Sequence, residues 1–427
     1  AEALEYDMSD DSSSRIITVQ VSKRWLIGFA AILLAPWLLF LIVSTQNPVK
    51  TWTSEALRSE ESSRRQIPTT KGPWGELKVV RIVTEPPEES LSGYLKYPRP
   101  VWTFKGYTPE EFEKLLLSAN LTPEQKAEIV QSSKWGARSE GCLVSPSDAL
   151  VQNLSSESRA ALYGALSLFP ENTFQHEPFR YRTDLSDEWF ANSGVPEETI
   201  DQVCKLIYRR GKTLLFSDPH LVVPGLKSDV DRVRLLKTLA RQSTLMVQLH
   251  ISPRTDIDAL IGYWAPRAGR AKDIKPLLES ATRLPGGLDI DVTHLLPRFA
   301  RKRIYTYPSA EGDTGEMVFD CHWNSMNFWN DPPDNRFSDS ETVIRTLETE
   351  YDQIIDRYKF GDILLFMKSD TQAIHSAVYI ADDIVFTKNG PSPHSPWILM
   401  QLATLISHYE TNVDLKIRGY RKKKAKG

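Results

Sequence analysis

The sequence has few of the residues that build metal sites and disulfide frameworks. It contains three cysteines and eight histidines among 427 residues. The short ligand spacings of a zinc site are absent around four scattered histidines: His176, His220, His250 and His294. We therefore predict no metal and no cofactor. Three cysteines cannot all pair within one chain, so a Cys142–Cys204 disulfide is possible and Cys321 is the thiol with a reason to stay free.

Excess charge and internal repeats are also missing. The net charge is −3, which gives the whole molecule no electrostatic basis for binding nucleic acid. No motif recurs at the fixed period of a repeat protein. Residues 413–427 form a basic C-terminal tail, which we expect to be solvated; contact with an anionic lipid or an acidic polymer is the alternative.

One long apolar run is present near the N-terminus. Residues 25–43 contain no charged side chain and would form a helix of about 28 Å, close to the ~30 Å core of a bilayer. Lys23 and Arg24 precede the run, and the next basic residue after it is Lys50. The sequence therefore predicts a cytoplasmic stub at 1–24, a transmembrane helix and a C-terminal part beyond the membrane. A cleaved signal peptide is the competing interpretation.

The chain after the run divides by composition. Residues 44–74 are polar and lack periodicity, which predicts a tether. Residues 75–310 read as a mainly helical domain, with strands expected near 77–83 and 244–251. Two capping boxes, at Thr108 and Thr122, mark helix starts. The pattern leaves two roles open for this domain: it packs on the C-terminal domain and shapes its cleft, or it is a spacer or a partner-docking module for a protein of the cell envelope.

The C-terminal part, residues 311–412, holds the best catalytic candidates. Cys321 lies at a predicted helix start, where backbone N–H groups favour a thiolate and could hold an oxyanion. His375 heads a strand and could act as its base. A helix from 340 to about 358, three strands (362–367, 375–381 and 384–388) and a closing helix from 395 or 396 to 408 are predicted around them. This order is that of an α+β domain.

Residues 315–408 resemble the NlpC/P60 group of papain-like cysteine peptidases. The likeness rests on three segments in the family's order: Phe319-Asp320-Cys321, Phe360-Gly361-Asp362 and the strand 375–380, which begins His-Ser-Ala-Val-Tyr-Ile. The resemblance implies a papain-like fold in which Cys321 is the nucleophile and His375 the general base.

Two positions depart from the family pattern. His322 follows the cysteine where a small residue is usual, which makes it a second possible base. The resemblance also implies a third polar residue that orients His375. Thr387 occupies the aligned position, whereas Asn389 lies on the same side of the strand and has a side-chain carbonyl that can hold an imidazole. Asn389 is the favoured candidate, and His394 is a third one.

The resemblance implies a thiol hydrolase that cleaves amide bonds of peptidoglycan stem peptides through a Cys–His dyad or triad. Together with the apolar run, it implies a single-pass protein of the bacterial inner membrane whose C-terminal domains are periplasmic. The alternative is an inactive, envelope-tethered binding or scaffold protein that keeps the papain-like fold. A catalytic Cys321 is expected to have a depressed pKa, whereas a buried structural cysteine is not.

Overall fold

The computed structural model describes residues 66–91, 97–137, 140–267, 269–308, 319–355, 357–390, 392, 394–409 and 415–423. The predicted stub and transmembrane helix lie outside these residues, as does the tether up to residue 65. Among the residues that are described, no helix is both long and apolar enough to cross a membrane.

Helices dominate the region before residue 304. Their starts follow the capping rules: Thr108 and Thr122 each close a complete capping box with the glutamate or glutamine three residues on. The helices are α1 (Pro109–Ser118), α2 (Pro123–Gln131), α3 (Asp148–Asn153), α4 (Ser156–Leu166), α5 (Thr173–His176), α6 (Ser186–Trp189), α7 (Glu197–Leu206), α8 (Pro219–Val222), α9 (Asp229–Leu239), α10 (Ile257–Trp264), α11 (Arg270–Thr282), α12 (Arg298–Arg303), α13 (Cys321–Asn327), α14 (Ser340–Glu350) and α15 (Leu402–Tyr409).

The same region also contains more strand than the sequence predicts. Three antiparallel sheets lie before residue 304, with orders β1-β2-β9-β10, β3-β5-β4 and β6-β8-β7. Their strands are β1 (Gln66–Ile67), β2 (Glu76–Thr84), β3 (Trp102–Phe104), β4 (Ser133–Trp135), β5 (Cys142–Val144), β6 (Phe179–Arg182), β7 (Tyr208–Arg210), β8 (Thr213–Phe216), β9 (Gln242–Ile251) and β10 (Leu288–Asp291). The predicted strands near 77–83 and 244–251 are confirmed as the pair β2 and β9.

A six-stranded antiparallel sheet forms the C-terminal part, in the order β11-β16-β12-β13-β14-β15. Its strands are β11 (Tyr351–Ile354), β12 (Ile363–Met367), β13 (Ala373–Ala381), β14 (Ile384–Lys388), β15 (Trp397–Gln401) and β16 (Lys416–Lys422). Asp382 and Asp383 connect β13 to β14, as predicted, with Asp382 at φ +53°. Together with α13 and α14, this sheet confirms the α+β class.

Three predictions about this part are wrong. The tail is a strand over 416–422 that pairs with both β11 and β12. Arg421 Nε and Nη2 donate hydrogen bonds of 2.8 and 2.6 Å to the buried carboxylate of Asp362. The helix from 340 ends at Glu350, where β11 begins. Residues 397–401 are a strand and not part of a helix; the short apolar run 397–400 fits a buried strand as well as a helix.

One hydrophobic core crosses the predicted domain boundary at residue 310. It joins buried residues of β2, β9 and α10 to buried residues of α13, β13 and β14. Polar contacts reinforce the junction: Thr244 Oγ1 on β9 exchanges hydrogen bonds with the Leu399 backbone on β15, at 3.0 and 3.1 Å. Tyr263 Oη donates to the Ile380 carbonyl oxygen at 2.7 Å. The C-terminal sheet is therefore built against the preceding region.

Candidate active site

Cys321 is the first residue of α13. Asp320 caps this helix, and its carboxylate accepts a hydrogen bond from the Trp323 backbone N–H at 2.7 Å. Ser376, on β13, ties the helix start to the sheet, since its Oγ lies 3.0 Å from both the Cys321 carbonyl oxygen and Ser325 Oγ. The thiol is therefore held against the strand that carries the predicted base.

His375 is the residue of β13 that directly precedes Ser376, and its side chain is fully buried. Its Nε2 lies 2.8 Å from Thr387 Oγ1 on β14. Its Nδ1 is buried and has no hydrogen-bond partner among the described residues. The ring thus has one nitrogen that is held by a neighbour and one that is unoccupied.

The partners of Thr387 determine which nitrogen carries the proton. Thr387 Oγ1 also lies 3.4 Å from Asn389 Oδ1, and an amide oxygen can only accept. The Thr387 hydroxyl therefore donates to Asn389 and accepts from the imidazole, which places the proton of neutral His375 on Nε2. This tautomer leaves the lone pair on Nδ1, as a general base requires.

This relay assigns the third position differently from the sequence. Thr387, and not the favoured Asn389, contacts His375, while Asn389 acts through the Thr387 hydroxyl. Asn389 is itself held by an Nδ2 contact of 3.3 Å to Met400 Sδ. His394 lies on the loop after β14, and its backbone N–H donates to Ser392 Oγ at 3.2 Å; the structure gives no hydrogen bond between it and His375.

His322 follows Cys321 in α13, but no hydrogen bond among the described residues orients its ring as Thr387 orients the ring of His375. Its Nδ1 is buried without a hydrogen-bond partner among the described residues. Burial lowers its pKa, with the Asp320 carboxylate acting in the opposite direction. Its charge would also lower the pKa of His375, so protonation of one ring disfavours protonation of the other.

The protonation state of Cys321 bears on whether it is catalytic. Burial, together with the charge of Asp320, raises the pKa of the Cys321 thiol to about 12. Backbone N–H groups of Ser376, Cys321 and His322 act in the opposite direction but do not compensate. Burial likewise holds the pKa of His375 well below its usual value. A depressed pKa is expected of a catalytic Cys321, and the raised pKa found here is the one expected of a buried structural cysteine; the pair in this structure is a neutral thiol and a neutral imidazole.

Tyr409, at the end of α15, packs against His375. No pattern in the sequence indicated this contact. Its ring stacks on His375 with centroids 4.3 Å apart and planes 20° from parallel. The charge of a Cys321 thiolate would raise the pKa of the Tyr409 hydroxyl, which places the two side chains near each other. Cys321 itself is 6% exposed. A terminal aromatic residue on an amphipathic helix resembles an ordinary core position in sequence.

The other two cysteines lie apart from this site. Cys142 and Cys204 are both buried and form no disulfide with each other. Within the described part of the chain, no group of three or more histidine, cysteine or acidic side chains could hold a metal ion.

Comparison with known proteins found no match for this chain. No protein-family model, no curated protein and no solved structure matches it.

Proposed function

We propose that this protein is a membrane-anchored thiol hydrolase of the cell envelope, in which Cys321 attacks an amide carbonyl and His375 is the base. The observation that carries the proposal is the His375 ring: Nε2 is held by Thr387, and the buried Nδ1 is unoccupied next to the strand–helix junction that positions Cys321. A buried nitrogen without a partner is costly in a purely structural histidine, whereas it is what a proton acceptor needs.

The neutral pair implies that proton transfer accompanies attack. The Cys321 sulfur forms a bond to the carbonyl carbon while its proton passes to His375 Nδ1. The imidazolium then returns that proton to the departing amine as the C–N bond breaks, which leaves a thioester on Cys321. Water attacks the thioester, with His375 again accepting a proton, and releases the carboxylic acid and the thiol.

Substrate class and location rest on the family resemblance. It implies stem peptides of peptidoglycan as substrates, with cleavage at amide bonds that involve D-amino acids or γ-linked glutamate. The charge-free run at 25–43 supports an anchor in the bacterial inner membrane, with the C-terminal part periplasmic.

A digestion experiment tests the proposal. The full-length chain, kept in detergent, is incubated with purified muropeptides, and new amino termini are identified by mass spectrometry. We expect cleavage by the unmodified chain and by the control Cys204→Ala, and none by Cys321→Ala or His375→Gln. Cleavage that survives Cys321→Ala, or an unmodified chain that cleaves nothing, contradicts the proposal.

The second candidate function is an inactive binding or scaffold protein, which the raised pKa of the Cys321 thiol and its burial favour. It predicts that muropeptides bind without being cleaved, and that Cys321→Ala leaves their affinity unchanged.

Alkylation by iodoacetamide provides an independent readout. A rate of Cys321 labelling that falls in His375→Gln supports the dyad, whereas a rate that is independent of His375 supports the inactive protein.

A further inference from the structure

A cavity of about 310 Å³ is lined by Tyr409, whose ring stacks on His375. It lies between the region before residue 304 and the C-terminal sheet. Its wall on the sheet side includes Asn389, which orients Thr387, and Tyr409, which stacks on His375. Its opposite wall includes three aromatic side chains, Tyr97, Phe174 and Phe179. Neither Cys321 nor His375 lines the cavity, so a peptide that occupies both the cavity and the dyad must pass the Tyr409 ring.

Arg180, on β6, places a cation in this cavity. Its only hydrogen bond among the described residues joins Nη1 to His408 Nε2, at 3.3 Å. No acidic side chain of the described residues pairs with it, although Glu177 also lines the cavity. Burial lowers the pKa of its guanidinium, as expected for a charge that has lost water without gaining a counter-ion. Arg182, two residues on, instead pairs with Asp184 and bonds Thr404.

Three consecutive contacts connect Arg180 to the dyad. Its guanidinium meets the His408 ring at 3.3 Å, the His408 and Tyr409 rings have centroids 4.9 Å apart, and Tyr409 stacks on His375 at 4.3 Å. An extended peptide advances about 3.4 Å per residue, so a group bound at Arg180 lies within a few residues of a bond held at Cys321.

We infer that Arg180 binds a carboxylate of the substrate, so that the hydrolase acts on peptides with a free carboxylate a few residues from the cleaved bond. This inference rests on the proposed function. A guanidinium offers parallel N–H donors that match the two oxygens of a carboxylate. The aromatic wall opposite accommodates the apolar part of such a peptide.

The test measures binding in the Cys321→Ala background, where no cleavage occurs. The full-length chain in detergent is titrated calorimetrically with N-acetyl-L-Ala-γ-D-Glu-L-Lys as the free acid, and with two probes amidated at either the glutamate α-carboxylate or the lysine carboxylate. We expect one amide to bind roughly tenfold to a hundredfold more weakly than the acid, the range for losing a charge-assisted hydrogen-bonded pair.

Variants at Arg180 decide the assignment. Arg180→Gln should remove the preference for the acid, Arg180→Lys should keep part of it, and Arg182→Gln should leave it intact; thermal melting verifies that each variant is folded. Equal binding of acid and both amides, a preference that survives Arg180→Gln, or no binding of any probe overturns the inference. Failure of the proposed function is distinguishable, because it appears as absent cleavage and His375-independent alkylation whatever the binding preference is.

Discussion

Replacing Thr387 by valine tests the relay that prepares His375 as a base. Valine keeps the branched shape of threonine but cannot accept the hydrogen bond of 2.8 Å from His375 Nε2. Both side chains are fully buried, so water cannot replace the lost partner. A buried donor left unsatisfied costs about 1–3 kcal/mol, and we expect the free energy of unfolding of Thr387→Val to fall by this amount.

Loss of the Thr387 hydrogen bond should also slow the reactions of Cys321. Without the Thr387 acceptor, the tautomer with the lone pair on Nδ1 is no longer favoured by about 1–3 kcal/mol, which corresponds to roughly a 5- to 150-fold preference. We expect the His375-dependent rate of Cys321 alkylation, and any cleavage rate, to fall within that range. Urea unfolding and mass-spectrometric labelling at constant pH measure the two effects. The imidazole ¹⁵N shifts of His375 report the tautomer directly.

Two control variants separate the hydroxyl from packing. Thr387→Ser keeps the acceptor and loses one methyl group, so it should cost about 0.8 kcal/mol of stability with little change in alkylation. Asn389→Ala should have an intermediate effect, because it removes only the acceptor of the Thr387 hydroxyl. The reasoning is refuted if Thr387→Val alkylates at the unmodified rate, or if Thr387→Ser is as slow as Thr387→Val.

Two further predictions concern stability. Gly361 has φ +88°, and an added Cβ would lie 2.3 Å from the Trp329 ring. Gly361→Ala should therefore lower the free energy of unfolding by several kcal/mol. Gly390 has the same φ but no neighbour within 4 Å of an added Cβ, so Gly390→Ala should lose only about 1–3 kcal/mol through backbone strain. Equal losses in urea unfolding would argue against the clash. Burial, with the nearby charges of Arg180 and then Arg182, lowers the pKa of His408 from 6.5 to about 3. As the pH falls below 6.5, the unfolded chain binds a proton at this ring and the folded chain does not. Stability that is present above pH 6.5 is therefore lost as the pH falls toward 3. His408→Gln should flatten the fall in stability over this interval, and parallel profiles of the two proteins would contradict the assignment.

The sequence predicted the elements that carry the dyad, because their signals are local. Asp320 before Cys321 is a helix cap, and the strand of His375 ends at the predicted Asp382-Asp383 turn. The sequence could not decide whether Thr387 or Asn389 contacts His375. The two residues are two apart on one strand, so alternation places both on the same face, and only the tilt of the imidazole selects Thr387.

Two features of the site and fold depend on distant contacts that no local pattern records. The pKa of Cys321 is raised by burial in the folded chain, which outweighs the backbone N–H groups at the helix start that the sequence displays. Residues 416–422 read as a solvated tail because their partners are distant in sequence: Asp362, which binds Arg421, lies 59 positions earlier. Short apolar runs such as 397–400 are ambiguous between helix and strand for the same reason.

The position of β16 has a consequence for how the protein is made. This strand is the last of the described elements in the chain, yet it lies inside the sheet, with β11 on one side and β12 on the other. Until residues 416–422 have left the ribosome, both neighbouring strands have open edges, and an open edge is a template for pairing with other chains. A nascent chain therefore completes the sheet that carries His375 only after residues 416–422 have emerged, which delays any activity of the site until that point of translation.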